Sequence, residues 1–160
     1  MKNDRVYKFA LKLGALLVLM FAVEMLAQPQ PSTSAIPPTK LIQPEELVKL
    51  LQSKSAEKPL ILNIGPRRIF AQAHIQGSEY IGAGSDAEGI QQLRKRVGSL
   101  SKTKSIVLYC GCCPWSRCPN VAPAFQELAA MGFKNVKVLY IADNIGADWV
   151  FKGYPTERGE

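Results

Sequence analysis

All four cysteines of this 160-residue chain lie in one nine-residue segment, 110–118, between two differently patterned stretches. The residues just before it, 105–109, are mostly apolar and β-branched, and they predict a buried strand. After it, apolar residues recur at helical spacing across 119–131. The predicted order of strand, cysteine loop and helix places thiols beside backbone N–H groups and the positive end of a helix dipole. This field, with Arg117 nearby, would lower the pKa of the thiol at Cys110 and favour a nucleophilic thiolate.

Strands and helices alternate through the rest of the chain. Further strands are predicted at 60–64, around 80–81 and at 136–141, and further helices at 44–52, 67–73 and 86–96. Asp86 is expected to cap a helix, and Gly132 to end one. The alternation predicts an α/β fold in a single domain, with a mostly parallel central sheet and helices on both faces. Ligands of such sheets bind outside the carboxyl ends of the strands, where Cys110 would lie.

Three segments are predicted along the chain. Residues 1–27 resemble an export signal, because basic residues precede the apolar run Leu13–Val23. That run is about half the length that a permanent membrane span needs, so segment 1–27 is either a cleaved signal peptide or an N-terminal membrane anchor. Residues 28–40 are rich in proline, serine and threonine and predict a solvated linker. The domain itself then covers 41–160, outside the cytoplasm, in the periplasm or the extracellular space.

The formal net charge of +7 is spread along the chain. Short basic clusters occur only at 67–68 and 94–96, where a solvated surface is the ordinary explanation. The sequence carries no nucleic-acid-binding motif. We therefore expect no nucleic-acid partner, and we expect the domain to be a monomer.

The ordered segments resemble the rhodanese (thiosulfate sulfurtransferase) domain family across nearly all of residues 41–156. The segments that carry the resemblance are Leu60–Ile64, Ala73–Ser78, Ile106–Cys110 and Gly132–Val136, followed by Trp149 and Gly153–Pro155. The sequence departs from the family at Asn63, where an aspartate is usual. It also departs in the loop after Cys110, which is several residues longer than usual and carries three additional cysteines.

The resemblance implies that Cys110 is the catalytic nucleophile, because it directly follows the matching strand. Counting back from Gly132 would instead reach Trp115, which cannot be a nucleophile; the strand side is preferred because loops absorb insertions. The remaining loop residues are implied to bind the substrate: Gly111, Cys112, Cys113, Pro114, Trp115, Ser116 and Arg117.

The chemistry implied by the family is a two-step sulfur transfer that needs no cofactor and no metal. The Cys110 thiolate would take sulfur from a small anionic donor such as thiosulfate, and a thiol or another thiophilic acceptor would remove it. Loop N–H groups and Arg117 would hold the anionic donor.

Other functions stay open at this point. The segment Cys110–Cys113 has C-x-x-C spacing, which suits thiol–disulfide exchange in an oxidising compartment. Four thiolates would also suit zinc or copper(I), although four ligands within nine residues, two of them adjacent, strain a tetrahedral site. A sensor without enzymatic activity and a phosphatase are further alternatives.

Oxidation is expected to close an internal disulfide that involves Cys110, with Cys113 or Cys118 as its redox partner. A bond between the adjacent Cys112 and Cys113 is disfavoured, because consecutive Cα atoms lie only about 3.8 Å apart. The alternative is a permanent Cys113–Cys118 bond that leaves Cys110 free.

Overall fold

The structure is a computed structural model that describes residues 33–54 and 57–159. The predicted signal or anchor segment, 1–27, and the first part of the predicted linker lie outside the described residues. Within the described ranges, no helix is both long enough and apolar enough to cross a membrane.

Seven strands and four α-helices are described in the structure. The strands are β1 (Leu41–Ile42), β2 (Leu60–Asn63), β3 (His74–Ile75), β4 (Glu79–Tyr80), β5 (Ile106–Tyr109), β6 (Val136–Leu139) and β7 (Thr156–Glu157). The helices are α1 (Pro44–Gln52), α2 (Arg67–Gln72), α3 (Ala87–Val97) and α4 (Val121–Ala130).

The main sheet has five strands in the order β1-β6-β5-β2-β4, and all of its neighbouring strands run parallel. Strand β5 lies at the centre, with Leu108 opposite Leu62 on one side and Val138 on the other. Strands β3 and β7 form a separate antiparallel pair. The predicted α/β architecture with a mostly parallel central sheet is therefore confirmed.

Strand β5 explains why helices cover both faces of the sheet. Its side chains alternate in direction, as successive residues of a strand do. Ile106 and Leu108 pack in one buried cluster with residues of α3 and α4, whereas Val107 and Tyr109 pack in a second cluster with residues of α1. The next residue, Cys110, belongs to the cluster on the α3 and α4 side. The alternation thus directs the first cysteine toward the start of α4.

The two predicted helix boundaries have different outcomes. Gly132 ends α4 as expected, with a positive φ of 86° that favours glycine. Asp86 precedes α3, but its side chain makes no capping hydrogen bond to the helix. The Asp86 carboxylate instead accepts a hydrogen bond of 3.0 Å from the Ser85 hydroxyl. Asp86 therefore marks the boundary without capping the helix.

The folded domain begins before Leu41, the first residue predicted for it. Short 3-10 turns occupy Thr33–Ala35 and Pro38–Lys40, and Ile36 is only 4% exposed, within the core. Within the predicted solvated linker, residues 35 and 37–39 are exposed, whereas Thr33 and Ile36 are buried. Prolines also fix the φ angles of short turns, and one apolar residue is enough to hold such a turn against the core.

The segment after β6 contains a π-helical turn, Gly146–Val150, that the sequence patterns did not predict. Its Trp149 is fully buried and packs in the same cluster as α1. The Trp149 indole N–H donates a hydrogen bond of 2.9 Å to the Pro155 carbonyl, and the ring meets Tyr154 edge-on. This one side chain therefore joins the end of the chain to the sheet.

Candidate active site

The cysteine loop connects the carboxyl end of β5 to the start of α4. Gly111 turns the chain directly after Cys110, with a φ of +75°. A Cβ atom at Gly111 would lie 2.8 Å from Ile145 Cβ, so the backbone needs glycine there for space as well. The Gly111 carbonyl accepts a hydrogen bond of 2.9 Å from the Ile145 amide, and the Trp115 amide donates one of 3.1 Å to the Ala142 carbonyl. The loop is thus held at two points against the segment after β6.

The loop brings the four cysteine sulfurs together. All four Sγ atoms lie within 4.8 Å of one another. Cys112 Sγ lies 3.1 Å from Cys110 Sγ and 3.0 Å from Cys113 Sγ. The four are free thiols; Cys110 and Cys118 are buried, while Cys112 and Cys113 are half-buried. We call these four residues the sulfur cluster.

Asn120 connects the sulfur cluster to the neighbouring loop at 82–85. It is 3% exposed, and its side-chain amide donates a hydrogen bond of 3.2 Å to Cys110 Sγ. Its side-chain oxygen accepts a hydrogen bond of 3.1 Å from the Ser85 amide. Gly84 permits this approach, because a Cβ there would lie only 2.2 Å from the Asn120 carbonyl oxygen.

Asn63, at the end of β2, supports the backbone on the other side of the sulfur cluster. Its side-chain amide donates to the Cys110 carbonyl at 3.3 Å, and its side-chain oxygen accepts from the Gly65 amide at 3.0 Å. The sequence patterns missed both asparagines as site residues. The departure from the family's usual aspartate at position 63 was a signal for one; nothing comparable pointed to Asn120.

Within the sulfur cluster, the surroundings of Cys118 favour its thiolate form. Hydrogen bonds from the Cys110 and Cys112 thiols lower the pKa of Cys118 to about 2, with the Asn120 and Val121 backbone N–H groups contributing. Cys118 lies just before α4, where N–H groups and the helix dipole favour negative charge.

The other three thiols resist ionisation. The hydrogen bond with Cys112 lowers the pKa of Cys110, but the interaction with Cys118 and burial outweigh it and raise the pKa to about 12. The hydrogen bond with Cys110 raises the pKa of Cys112, and burial raises the pKa of Cys113. The expected lowering of the Cys110 pKa is therefore wrong, because a buried cluster stabilises one thiolate and disfavours a second like charge beside it.

We predict that the folded, reduced domain carries a thiolate at Cys118 below the ordinary thiol pKa of about 8.5, while its other three thiols stay protonated at that pH. In the unfolded chain, four thiols should ionise around the ordinary pKa of about 8.5. The ultraviolet absorbance of thiolate, followed against pH with and without urea, measures thiol ionisation in the unfolded chain and in the folded domain. Replacing Cys118 with serine should remove the signal at low pH. Ionisation of all four thiols near pH 8.5 in the folded domain would contradict the assignment.

The remaining predicted substrate-binding residues lie on the outer part of the loop. Ser116 and Arg117 are exposed, and the Arg117 guanidinium makes no hydrogen bond or ion pair with the described residues. The half-buried Trp115 ring packs against Tyr140, with centroids 5.4 Å apart. Pro114 is half-buried and precedes a 3-10 turn, Trp115–Arg117. Donor binding by these residues stays a prediction.

A cleft of about 1150 Å³ opens beside the sulfur cluster. Cys112 and Asn120 line one part of it, so among the four cysteines it is Cys112 that faces the cleft. The rest of the wall carries mixed charges, including Lys95 and a bidentate pair in which Arg96 donates to Glu79 at 2.8 Å. The cleft offers a route for a small molecule to the sulfurs.

His74 lies apart from this chemistry. Its ring stacks on Phe70 at 3.8 Å, and its Nδ1 lies 2.9 Å from the Phe70 carbonyl oxygen. Its Nε2 lies 3.8 Å from a Glu157 carboxylate oxygen. These contacts give it a structural role between α2 and the β3–β7 pair.

Comparison with known proteins gives two kinds of similarity. The family model of the rhodanese-like domain matches residues 43–140. No curated protein sequence matches the chain significantly.

Solved structures show the same fold. The Alr3790 protein from Anabaena sp. is 24% identical, with 74% of this chain and 92% of that chain covered and a TM-score of 0.56. A solution structure of the rhodanese-like domain of the same protein is 23% identical, with 74% of this chain and 79% of that chain covered and a TM-score of 0.53. The BH2092 protein from Bacillus halodurans is 20% identical, with 73% of this chain and 75% of that chain covered and a TM-score of 0.54.

Proposed function

The chain belongs to the rhodanese-like domain family, and on that premise we propose that it transfers sulfane sulfur through a persulfide on Cys110. The donor is a small anion such as thiosulfate, and the acceptor is a thiol. The observation that carries the proposal is the position of Cys110. This residue directly follows the central strand β5, and its Sγ accepts a hydrogen bond of 3.2 Å from the Asn120 side-chain amide. Many members of the family are not catalytic, so the proposal depends on this site and not on the fold alone.

The first step forms the persulfide. The Cys110 thiol loses its proton to solvent, which reaches the sulfur cluster through the cleft beside Cys112. The Cys110 thiolate then attacks the outer sulfur of thiosulfate, the donor's S–S bond breaks, and sulfite leaves with the electron pair. No oxidant or reductant is consumed.

The second step regenerates the thiol. An acceptor thiolate attacks the outer sulfur of the Cys110 persulfide, the bond between the two persulfide sulfurs breaks, and the acceptor leaves as a persulfide. The cleft beside Cys112 supports this step, because it gives an acceptor access to a sulfur 3.1 Å from Cys110 Sγ. Residues 111–117 would contact the donor, and the exposed charge of Arg117 would attract an anion.

Intact-mass spectrometry of the reduced domain, before and after thiosulfate, tests the proposal. We expect a gain of one sulfur that a thiol acceptor removes. A folded domain that never gains sulfur would contradict the proposal.

Thiol–disulfide exchange is a second candidate, favoured by the 3.1 Å separation of the Cys110 and Cys112 sulfurs. The same spectra distinguish it from sulfur transfer, because a disulfide removes two hydrogens and adds no sulfur.

We predict that Asn120→Ala slows persulfide formation by at least about tenfold. The variant removes the amide that contacts Cys110 Sγ and the acceptor for the Ser85 amide. Removing a hydrogen-bond donor to a developing oxyanion lowers kcat by about 10²–10³-fold. We expect a smaller effect here because a sulfur atom is a weaker hydrogen-bond acceptor than oxygen. The rate of sulfur gain measures the effect. Asn135→Ala, an exposed asparagine that donates to the Thr103 carbonyl, is the matched control and should react at the parent rate. Equal rates in both variants would show that Asn120 does not act on Cys110.

We also propose that the domain acts outside the cytoplasm, from the export-like pattern of residues 1–27. N-terminal sequencing of natively expressed protein should find a start close to Gln28. Retention of Met1 in a membrane fraction would indicate an anchor, and Met1 in the soluble cytoplasmic fraction would contradict export.

A further inference from the structure

The reduced sulfur cluster has the composition and the size of a site for one metal ion. We propose that Cys110, Cys112, Cys113 and Cys118 together bind a single thiophilic d10 cation, Zn²⁺ or Cu⁺. Thiolate is the ligand that these soft and borderline ions prefer. The proposal concerns a binding property of the chain and does not depend on sulfur transfer.

The spacing of the sulfurs supports a single ion. At a Zn–S bond length of about 2.3 Å, two ligands of one ion can be at most about 4.6 Å apart, and in a tetrahedral site they are about 3.8 Å apart. All four Sγ atoms lie within 4.8 Å of one another. The Cys110–Cys112 and Cys112–Cys113 sulfur separations of 3.1 and 3.0 Å are shorter than this tetrahedral distance. These sulfurs must therefore move apart by about 0.7–0.8 Å to bind one ion.

The adjacency of Cys112 and Cys113 counted against a metal site in the sequence. In the structure, these two neighbours direct both sulfurs into the cluster, 3.0 Å apart. A d10 ion has no geometric preference arising from its d electrons, so it tolerates the angles that adjacent ligands impose. The objection from spacing therefore loses most of its weight.

The surroundings divide the ligands into a fixed pair and an adjustable pair. Cys110 is held at the end of β5 and Cys118 just before α4, and both are buried. Cys112 and Cys113 lie on the half-buried part of the loop, where Cys112 faces the cleft and gives an ion a path of entry. The Asn120 amide, 3.2 Å from Cys110 Sγ, would serve as an outer hydrogen-bond donor to a ligating thiolate.

Binding requires no redox chemistry. Each thiol that becomes a ligand releases its proton to solvent as a sulfur–metal bond forms, and the ion keeps its oxidation state. A bound ion would occupy the Cys110 sulfur and prevent its attack on a sulfur donor. Metal binding and persulfide formation would then exclude each other, a consequence that rests on the proposed function.

The test uses reduced, metal-free domain under anaerobic conditions. Zn²⁺ is titrated in competition with a chromogenic zinc chelator, and Cu⁺ in competition with a cuprous chelator. We expect one ion per chain, with affinity reduced by at least about 100-fold in each of the four cysteine-to-serine variants. Gln91→Ala, an exposed position on α3, is the control and should bind like the parent.

X-ray absorption of the loaded parent provides a second measurement that does not require the variants to fold. Four sulfur neighbours at about 2.3 Å from zinc would support the site. Binding in one titration alone identifies the ion. Failure of both ions to bind at one per chain, or an absorption spectrum without sulfur neighbours, would overturn the proposal even if sulfur transfer is found. Stoichiometric binding by a domain that gains no sulfur when metal-free would support the site and contradict the proposed function instead.

Discussion

Replacing Cys110 with serine is expected to abolish persulfide formation, with a loss of at least about 10³-fold, while the domain stays folded. The substitution removes the nucleophilic sulfur at the end of β5 and changes little volume. Asn120 keeps a polar partner, because a serine hydroxyl can accept the hydrogen bond that Cys110 Sγ receives at 3.2 Å. Sulfur gain is measured by intact mass after thiosulfate, and folding by circular dichroism.

Variants at the other cysteines provide the comparison, with Cys113→Ser as the matched control. Cys113→Ser, in the half-buried part of the loop, should retain persulfide formation. Cys118→Ser should react at least as fast as the parent, because it removes the neighbouring thiolate that raises the pKa of Cys110. A fully active Cys110→Ser variant, with activity lost in Cys112→Ser or Cys113→Ser, would show that the longer loop has moved the nucleophile.

Replacing Trp149 with alanine is expected to lower the free energy of unfolding by about 3–5 kcal/mol, the usual cost of removing a buried large aromatic side chain. Trp149 is fully buried, contacts Tyr154 edge-on and donates to the Pro155 carbonyl at 2.9 Å. Its loss leaves a cavity beside α1 and frees the segment that leads to β7. The total free energy of unfolding of a native protein is about 5–15 kcal/mol, so this substitution should remove much of the domain's stability. Urea unfolding measures the difference.

Phe151 provides the comparison within the same turn. Its side chain is 86% exposed, so Phe151→Ala should change the free energy of unfolding by no more than about 0.5 kcal/mol. Similar losses in the two variants would mean that this segment contributes through its backbone rather than through the buried indole.

The parts of the fold with strong local patterns were predictable from the sequence. The continuous apolar run of β5, the helical spacing in α4 and the proline and glutamates that begin α1 each determine their element within a few residues. Strand β1 and the turn around Trp149 were not predictable in this way. Each is too short for its apolar residues to show a helical or strand spacing. Each forms because neighbouring parts of the fold provide its contacts.

The site could be predicted as a loop but not as an arrangement of atoms. The position of Cys110 followed from the strand before it. The selection of Cys118 as the stabilised thiolate required knowing that it lies just before α4 with two other thiols beside it. Asn120 was missed because its importance comes from Cys110 and Ser85, which only the folded chain brings near it.

The close contact between Gly84 and Asn120 has a consequence for how this site can diverge. With 2.2 Å between a would-be Cβ at position 84 and the Asn120 carbonyl oxygen, no larger residue fits unless Asn120 moves. Moving Asn120 withdraws its amide from Cys110. Homologues that keep the sulfur chemistry should therefore retain glycine, asparagine and cysteine at these three positions together, and homologues that lose one should be free to lose all three.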